Sequence, residues 1–177
     1  DGCLTFVIGE NGMDLALKHG LPANQILKTG NWVGPLLVAA AENGVKKLLL
    51  FGYHGKLIKL SGGVFHTHHH LADGRIEILT SLAFREGISF DLIELISKST
   101  SVENALLSLE VSNPEAVSLI WSRMAKEIEI KSRSYVNRYL SSSIEIGSVL
   151  FDRKRQIRWA GFEGLKQLNS FGLILKR

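Results

Sequence analysis

The chain contains little that would stabilise a small secreted or fibrous protein. It has 177 residues, with one cysteine, three prolines and only 8% aromatic residues. A single cysteine cannot form a disulfide within the chain, which favours a reducing compartment such as the cytoplasm. Because 45% of the residues are hydrophobic, the composition excludes a disordered chain, a collagen and a disulfide-rich miniprotein.

Long apolar runs are also missing. No stretch reaches the ~18 residues that a membrane-spanning helix needs. The start, DGC, has neither an initiator methionine nor a signal-peptide pattern. We therefore expect a fragment of a cytoplasmic protein that has no membrane partner and folds as a single domain over residues 1–177.

The positive charge is concentrated near the end of the chain. Residues 1–150 carry 14 basic and 15 acidic side chains, whereas residues 151–177 carry 7 and 2. Four of those seven are Arg153, Lys154, Arg155 and Arg158. So short a basic run is more typical of a solvated hairpin tip than of a nucleic-acid patch, and we expect no nucleic-acid partner.

Apolar runs predict three strands in the first third of the chain, at 4–8, 26–29 and 45–51. Residues 48–51 are all apolar, and a strand that is apolar on both faces is typical of the centre of a parallel sheet. Helical patterns separate the strands. The repeated order of strand, loop and helix predicts an α/β fold with a mostly parallel sheet flanked by helices.

The remainder of the chain is predicted to be mainly helical. Apolar residues recur at helical spacing through 71–140, so we expect a helical cluster there. Alternation over 144–151, followed by the basic turn and a second short run at 156–159, predicts a terminal β-hairpin at the edge of the sheet.

Three loops that contain glycine follow the three predicted strands, at 9–12, 30–34 and 52–56. Because the carboxyl ends of parallel strands meet at one edge of a sheet, we expect all three loops to open on a ligand crevice there. Glycine lets the backbone come close to a ligand, and helix N-termini offer N–H donors to anionic groups. None of the loops has the spacing of a dinucleotide-binding motif or of a P-loop.

A histidine-rich segment follows the third loop, and four of the six histidines fall within residues 64–70. On an extended backbone His66, His68 and His70 would share one face and could ligate zinc or another transition metal. A metal-dependent hydrolase that uses the cluster at 66–70 is therefore an alternative. The same imidazoles could instead bind an acidic ligand or cap a helix, and a non-catalytic ligand-binding module is a further alternative.

Three motifs taken together resemble a known family. They are GNWVG at 30–34, GYHGKLIKL at 52–60 and HTHHHLADGR at 66–75. This combination is similar to the signature of the cobalt-precorrin-5B C1-methyltransferases, the CbiD family of anaerobic cobalamin (vitamin B12) biosynthesis. Members of that family are longer, and their amino-terminal half has no counterpart here. One departure is Tyr53, which stands where many relatives have histidine.

The resemblance implies transfer of a methyl group from S-adenosylmethionine to C1 of a cobalt-bearing tetrapyrrole. Cobalt then enters only as part of the substrate, and no metal site of the protein itself is expected. The missing amino-terminal half and a second copy of the chain are the expected protein partners. The resemblance identifies no catalytic side chain, because the methyl donor is already activated.

The resemblance and the loop positions together give two sets of expected site residues. For the cosubstrate S-adenosylmethionine they are Gly9, Glu10, Asn11, Gly12, Gly30, Asn31, Trp32 and Gly34. For the carboxylate-rich macrocycle they are His54, Lys56, Lys59, His66, Thr67, His68, Asp73 and Arg75.

Overall fold

The computed structural model describes residues 2–68, 70–71, 73–173 and 175. Its strands are β1 (Cys3–Ile8), β2 (Ile26–Thr29), β3 (Lys47–Tyr53), β4 (Glu145–Phe151) and β5 (Ile157–Ala160). They form one sheet in the order β2, β1, β3, β4, β5. The first four strands are parallel, and β5 pairs with β4 in the antiparallel direction. The predicted α/β fold, with its mostly parallel sheet and terminal hairpin, is confirmed.

Eight α-helices surround the sheet in the described part of the chain. They are α1 (Met13–Lys18), α2 (Val33–Glu42), α3 (His54–Ser61), α4 (Arg75–Arg85), α5 (Phe90–Ser97), α6 (Val102–Ser112), α7 (Pro114–Asn137) and α8 (Phe162–Ser170). A short 3-10 turn, Ala23–Gln25, precedes β2. Helices α4 to α7 occupy the segment where a helical cluster was expected. No helix among the described residues has the length and apolar character needed to cross a membrane.

The core consists of two apolar layers, one on each face of the sheet. Successive side chains of a strand point to opposite faces. Accordingly, Leu48 and Leu50 of β3 pack in the layer formed with α2, α3 and α7, whereas Leu49 and Phe51 pack in the layer formed with α1 and α8. All four side chains are buried, as expected for a central strand whose two faces are both covered by helices.

The third predicted loop, at 52–56, is not a loop. Gly52 belongs to β3, and α3 begins immediately after Tyr53. Both glycines in this segment allow close packing: a Cβ on Gly52 would lie 3.2 Å from the Leu57 side chain, and a Cβ on Gly55 would lie 2.4 Å from the Tyr53 ring. These glycines allow α3 to pack against the sheet. A sequence pattern alone does not distinguish a glycine with this packing role from a glycine in a turn.

A buried carboxylate from α7 joins the edge of β4 to α8, a helix that the sequence patterns did not predict. Glu129 Oε1 accepts the backbone N–H groups of Ser148 and Gly164 at 3.0 Å each, and Oε2 accepts that of Glu163 at 3.2 Å. Burial raises the pKa of Glu129. Strand β5 pairs with β4 only from Val149 onward, and the first N–H groups of a helix have no partner within the helix. The Glu129 side chain therefore accepts hydrogen bonds from backbone N–H groups that would otherwise be buried without a partner.

Replacing Glu129 with glutamine should lower the free energy of unfolding by about 1–3 kcal/mol. The new amide NH₂ would face backbone N–H donors, so buried donors would lose their acceptor. Urea denaturation measures the change. The matched control is Glu42→Gln, because Glu42 is exposed at the end of α2. Equal stability losses in the two variants would contradict this role of Glu129.

Candidate functional site at the carboxyl edge of the sheet

A cavity of about 500 Å³ opens where β1, β3 and β4 end. In the sheet, β2 lies on one side of β1 and β3 lies on the other side. The strand order therefore changes direction at β1, which makes this position a topological switch point. Ligands of open α/β sheets bind at such a switch point, outside the carboxyl ends of the strands. The polar and glycine residues of its wall include Gly9, Glu10, Asn11, Tyr53, Lys56, Asp152, Arg153 and Arg155.

The first glycine loop forms one side of this cavity. Gly9 has a φ of +93°, and a Cβ on it would lie 2.9 Å from Lys56 Nζ. Glycine is therefore favoured twice, by the left-handed backbone and by the close approach of the lysine. The Gly9 N–H donates to the Thr29 carbonyl at 3.3 Å, and Glu10 pairs with Lys28. The loops at 9–12 and 30–34 thus lie side by side at the carboxyl edge, as predicted.

The second glycine loop holds the start of the histidine segment. Thr67 donates its N–H to the Asn31 carbonyl and its hydroxyl to Asn31 Oδ1, both at 2.9 Å. Trp32 is 65% exposed, and its ring meets the His66 ring edge-on, with 4.4 Å between the centroids. The imidazoles of His66, His68 and His70 continue from this ring, with centroid separations of 6.4 and 5.0 Å. We call Trp32, His66, His68 and His70 the ring row.

The hydrogen bonds of the ring row bear on its chemistry. His66 Nδ1 accepts the His68 N–H, and His68 Nδ1 accepts the His70 N–H, at 3.3 Å each. A neutral imidazole that accepts through Nδ1 carries its proton on Nε2, which then acts as a donor. His69 lies outside the described residues. Within the described residues, no group of three His, Cys, Asp or Glu could hold a metal ion. This geometry favours an acidic ligand over the alternative of a metal-dependent hydrolase.

Lys59 supports the ring row from inside the protein. Its side chain is buried, and its Nζ donates to the His68 carbonyl at 3.1 Å. Burial lowers the pKa of Lys59, while the charge of the nearby Asp73 acts in the opposite direction. Lys59 was expected to contact the macrocycle, but in this structure it fixes the backbone of the histidine segment instead.

Asp73 and Arg75 form a bidentate pair at the start of α4. Arg75 donates to the Asp73 carboxylate through Nε at 2.5 Å and through a terminal nitrogen at 2.9 Å. This hydrogen-bonded guanidinium lowers the pKa of Asp73 to about 2. Both side chains are partly exposed, so the pair presents an oriented guanidinium at the surface.

His54 lies behind the cavity wall, although it was expected to contact substrate. It is buried, its Nε2 lies 2.5 Å from Glu103 Oε2, and the Tyr53 hydroxyl donates to the same oxygen at 3.3 Å. No described residue pairs with His54 Nδ1. Because Tyr53 lines the cavity, the His54–Glu103 pair supports the site by orienting Tyr53.

The remaining predicted glycines have different roles. A Cβ on Gly12 would lie 2.7 Å from Val7, and one on Gly34 would lie 2.6 Å from the Tyr135 ring, so both allow close packing. Gly30 is exposed with open space beside it. Sequence reasoning missed six residues of the cavity wall, of which two, Arg153 and Arg155, belong to the basic run. The other four are Ile8, Tyr53, Phe151 and Asp152.

A mostly parallel sheet with a cavity at its carboxyl edge is typical of α/β proteins that bind small molecules. The family model described as "CbiD, C-terminal domain" matches residues 66–161, which is more than half of the chain. The chain therefore belongs to the CbiD family, through its carboxy-terminal domain, and the resemblance seen in the sequence motifs is confirmed.

Curated relatives agree with this assignment. Proteins named cobalt-precorrin-5B C(1)-methyltransferase from Prochlorococcus marinus strains NATL2A and NATL1A are each 94% identical over 177 residues, 100% of this chain. Another of the same name, from strain MIT 9313, is 56% identical over 97% of the chain. The chain spans about half the length of these relatives, 46% of the first two and 45% of the third. No solved structure matches the chain.

The His54–Glu103 pair should make stability depend on pH. Burial lowers the pKa of His54 from 6.5, so below pH 6.5 the unfolded chain binds more protons at this residue than the folded chain does. The contribution of His54 to the free energy of unfolding should therefore fall as the pH decreases from 6.5 toward its folded pKa, by at most about 1.4 kcal/mol per pH unit.

Urea denaturation between about pH 5 and pH 7.5 measures this contribution. His54→Asn should reduce the pH dependence, whereas His19→Asn, at the end of α1, should retain it. An unchanged slope in His54→Asn would refute the assignment.

Proposed function

We propose that this chain is the carboxy-terminal part of an S-adenosylmethionine-dependent methyltransferase that acts at C1 of cobalt-precorrin-5B in anaerobic cobalamin biosynthesis. One observation carries the proposal: a cavity of about 500 Å³ and a row of hydrogen-bond donors lie at the same edge of the sheet. The cavity suits a nucleoside-sized cosubstrate, and the row of donors suits a large ring with many carboxylates. The names of the relatives support the same reaction.

The cavity has features that fit the cosubstrate. Small-molecule sites typically measure about 300–1,000 Å³. Gly9 allows the backbone to approach a ligand closely, and Tyr53 and Phe151 contribute aromatic surface to the wall. Glu10 offers a carboxylate to ribose hydroxyls or to an amino group. Lys56 was expected at the macrocycle, but its position beside Gly9 makes it part of this cavity.

The surface next to the cavity fits the macrocycle. Trp32 was expected at the cosubstrate, but it does not line the cavity and offers exposed aromatic area here. His66 offers an Nε2–H donor, and Arg75 offers a guanidinium held by Asp73. Single exposed ion pairs contribute only about 0–1 kcal/mol, so several donors have to act together. We expect the amino-terminal half of the protein to complete this surface.

The chain contributes to the reaction through orientation and exclusion of water. When bound, S-adenosylmethionine supplies an electrophilic methyl group, whose bond to sulfur breaks as C1 of the substrate forms the new carbon–carbon bond and the electron pair stays on sulfur. The protein need not provide a covalent nucleophile. Its cavity and its ring row hold the two reactants in line and keep water away, which are the main sources of acceleration for such a transfer.

Gly9→Ala should weaken binding of S-adenosylhomocysteine about tenfold or more, because a Cβ at 2.9 Å would displace the Lys56 ammonium from the cavity. The matched control is Gly44→Ala. Gly44 has a similar φ of +80° but no atom within 4 Å of its Cβ position, so it incurs the backbone strain alone. Titration calorimetry and thermal unfolding of both variants separate strain from binding. Equal affinities would contradict the cosubstrate site.

Arg75→Ala should weaken binding of the corrin precursor by about 1–3 kcal/mol, since a charge-assisted hydrogen bond to a carboxylate is lost. Arg85→Ala serves as the control, because Arg85 ends the same helix about 15 Å away. Binding is measured in a protein of the family's full length, beside the thermal midpoint. If Arg75→Ala lowers the midpoint and leaves binding unchanged, Arg75 is only a structural partner of Asp73.

A further inference from the structure

The basic turn between β4 and β5 keeps an arginine where glycine is favoured. Arg155 has a φ of +61° and is the only described residue other than glycine with a positive φ. Its N–H donates to the Asp152 carbonyl at 2.9 Å, and the Gln156 N–H donates to Asp152 Oδ1 at 3.0 Å. Three-residue hairpin loops usually place glycine at this left-handed position. An arginine held there points to a role for the turn beyond connecting two strands.

The turn is exposed to solvent and also borders the cavity. Arg153 and Arg155 both line the wall, as does Lys56 of α3. Arg155 is anchored by an ion pair with Asp14 of α1. Burial raises the pKa of Tyr53, and the nearby Arg153 guanidinium opposes that rise. The basic run therefore supplies part of a concave site, although its sequence is typical of a solvated tip.

The charges of the cavity wall do not balance within the protein. The two acids of the wall are already paired with cations outside it: Glu10 with Lys28, and Asp152 with Arg158 at 3.2 Å. In the described part of the chain, neither Lys56 nor Arg153 forms a salt bridge with a carboxylate, and the charge of Lys56 has only a minor effect on the pKa of Glu10. Two unpaired cations in one cavity favour a ligand that brings a negative charge.

We propose that Lys56 and Arg153 bind a carboxylate of the ligand in this cavity, and that Arg155 holds the turn in place through Asp14. The inference rests on the proposed function, whose cosubstrate and macrocycle both carry carboxylates. The size of the cavity favours the carboxylate of the methionine part of S-adenosylmethionine, because a tetrapyrrole would extend far beyond its walls. A guanidinium and an ammonium that converge on one group suit the two oxygens of a carboxylate.

The test is the substitution Arg153→Ala in a protein of the family's full length. We expect the affinity for S-adenosylhomocysteine to fall about tenfold, and the affinity for 5′-methylthioadenosine, which lacks the amino-acid part, to stay unchanged. Lys154→Ala is the matched control. Lys154 is exposed in the same turn and carries the same charge, but it does not line the cavity, so neither affinity should change. Lys56→Ala should reproduce the selective loss.

The other outcomes show which ligand carries the carboxylate. They also distinguish failure of this inference from failure of the proposed function. If Arg153→Ala weakens binding of cobyrinic acid, a corrin with free carboxylates, and leaves S-adenosylhomocysteine unaffected, the cation pair stands and its carboxylate belongs to the macrocycle. If Arg153→Ala and Lys154→Ala behave alike with every ligand, the inference is overturned while the proposed function stands. If the unaltered protein binds neither S-adenosylhomocysteine nor cobyrinic acid, the proposed function fails and the inference fails with it.

Discussion

The parallel pairing of β1 with β3 is the constraint on which the site depends. The pairing sets Ile8 beside Gly52 at the ends of the two strands. Since α3 begins directly after β3, its first turn lies next to the loop that follows β1, and Lys56 reaches Gly9. A shift of one residue in this register would turn each apolar side chain to the opposite face of the sheet. The two buried layers of the core therefore also fix the geometry of the cavity.

Tyr53 connects the parts of the site that the sequence analysis had treated separately. On one side its hydroxyl donates to Glu103, which also binds His54, and on the other side the Arg153 guanidinium opposes the rise in the Tyr53 pKa that burial causes. The phenol is also near enough to Arg75 that its ionised form would raise the pKa of Arg75. Tyr53 therefore lies between the cavity proposed for the cosubstrate and the surface proposed for the macrocycle.

The sequence was sufficient to predict the sheet, its carboxyl edge and the histidine segment, because apolar runs and glycines are local signals. It was not sufficient for His54 and Lys59, whose polar side chains suggested a surface role. Their partners, Glu103 and the His68 carbonyl, become neighbours only in the folded chain. Likewise, Arg153 has the local pattern of a solvated turn, and only the position of β4 beside β3 brings it to the cavity.

The edge strands of the sheet influence whether another polypeptide can pair with it. Both outer strands, β2 and β5, are four residues long, and where β5 ends the Glu129 carboxylate occupies N–H groups at the border of β4. Long unpaired borders act as templates on which another chain can add a strand and start aggregation. The described sheet offers only short ones, which disfavours the addition of a strand from a second polypeptide.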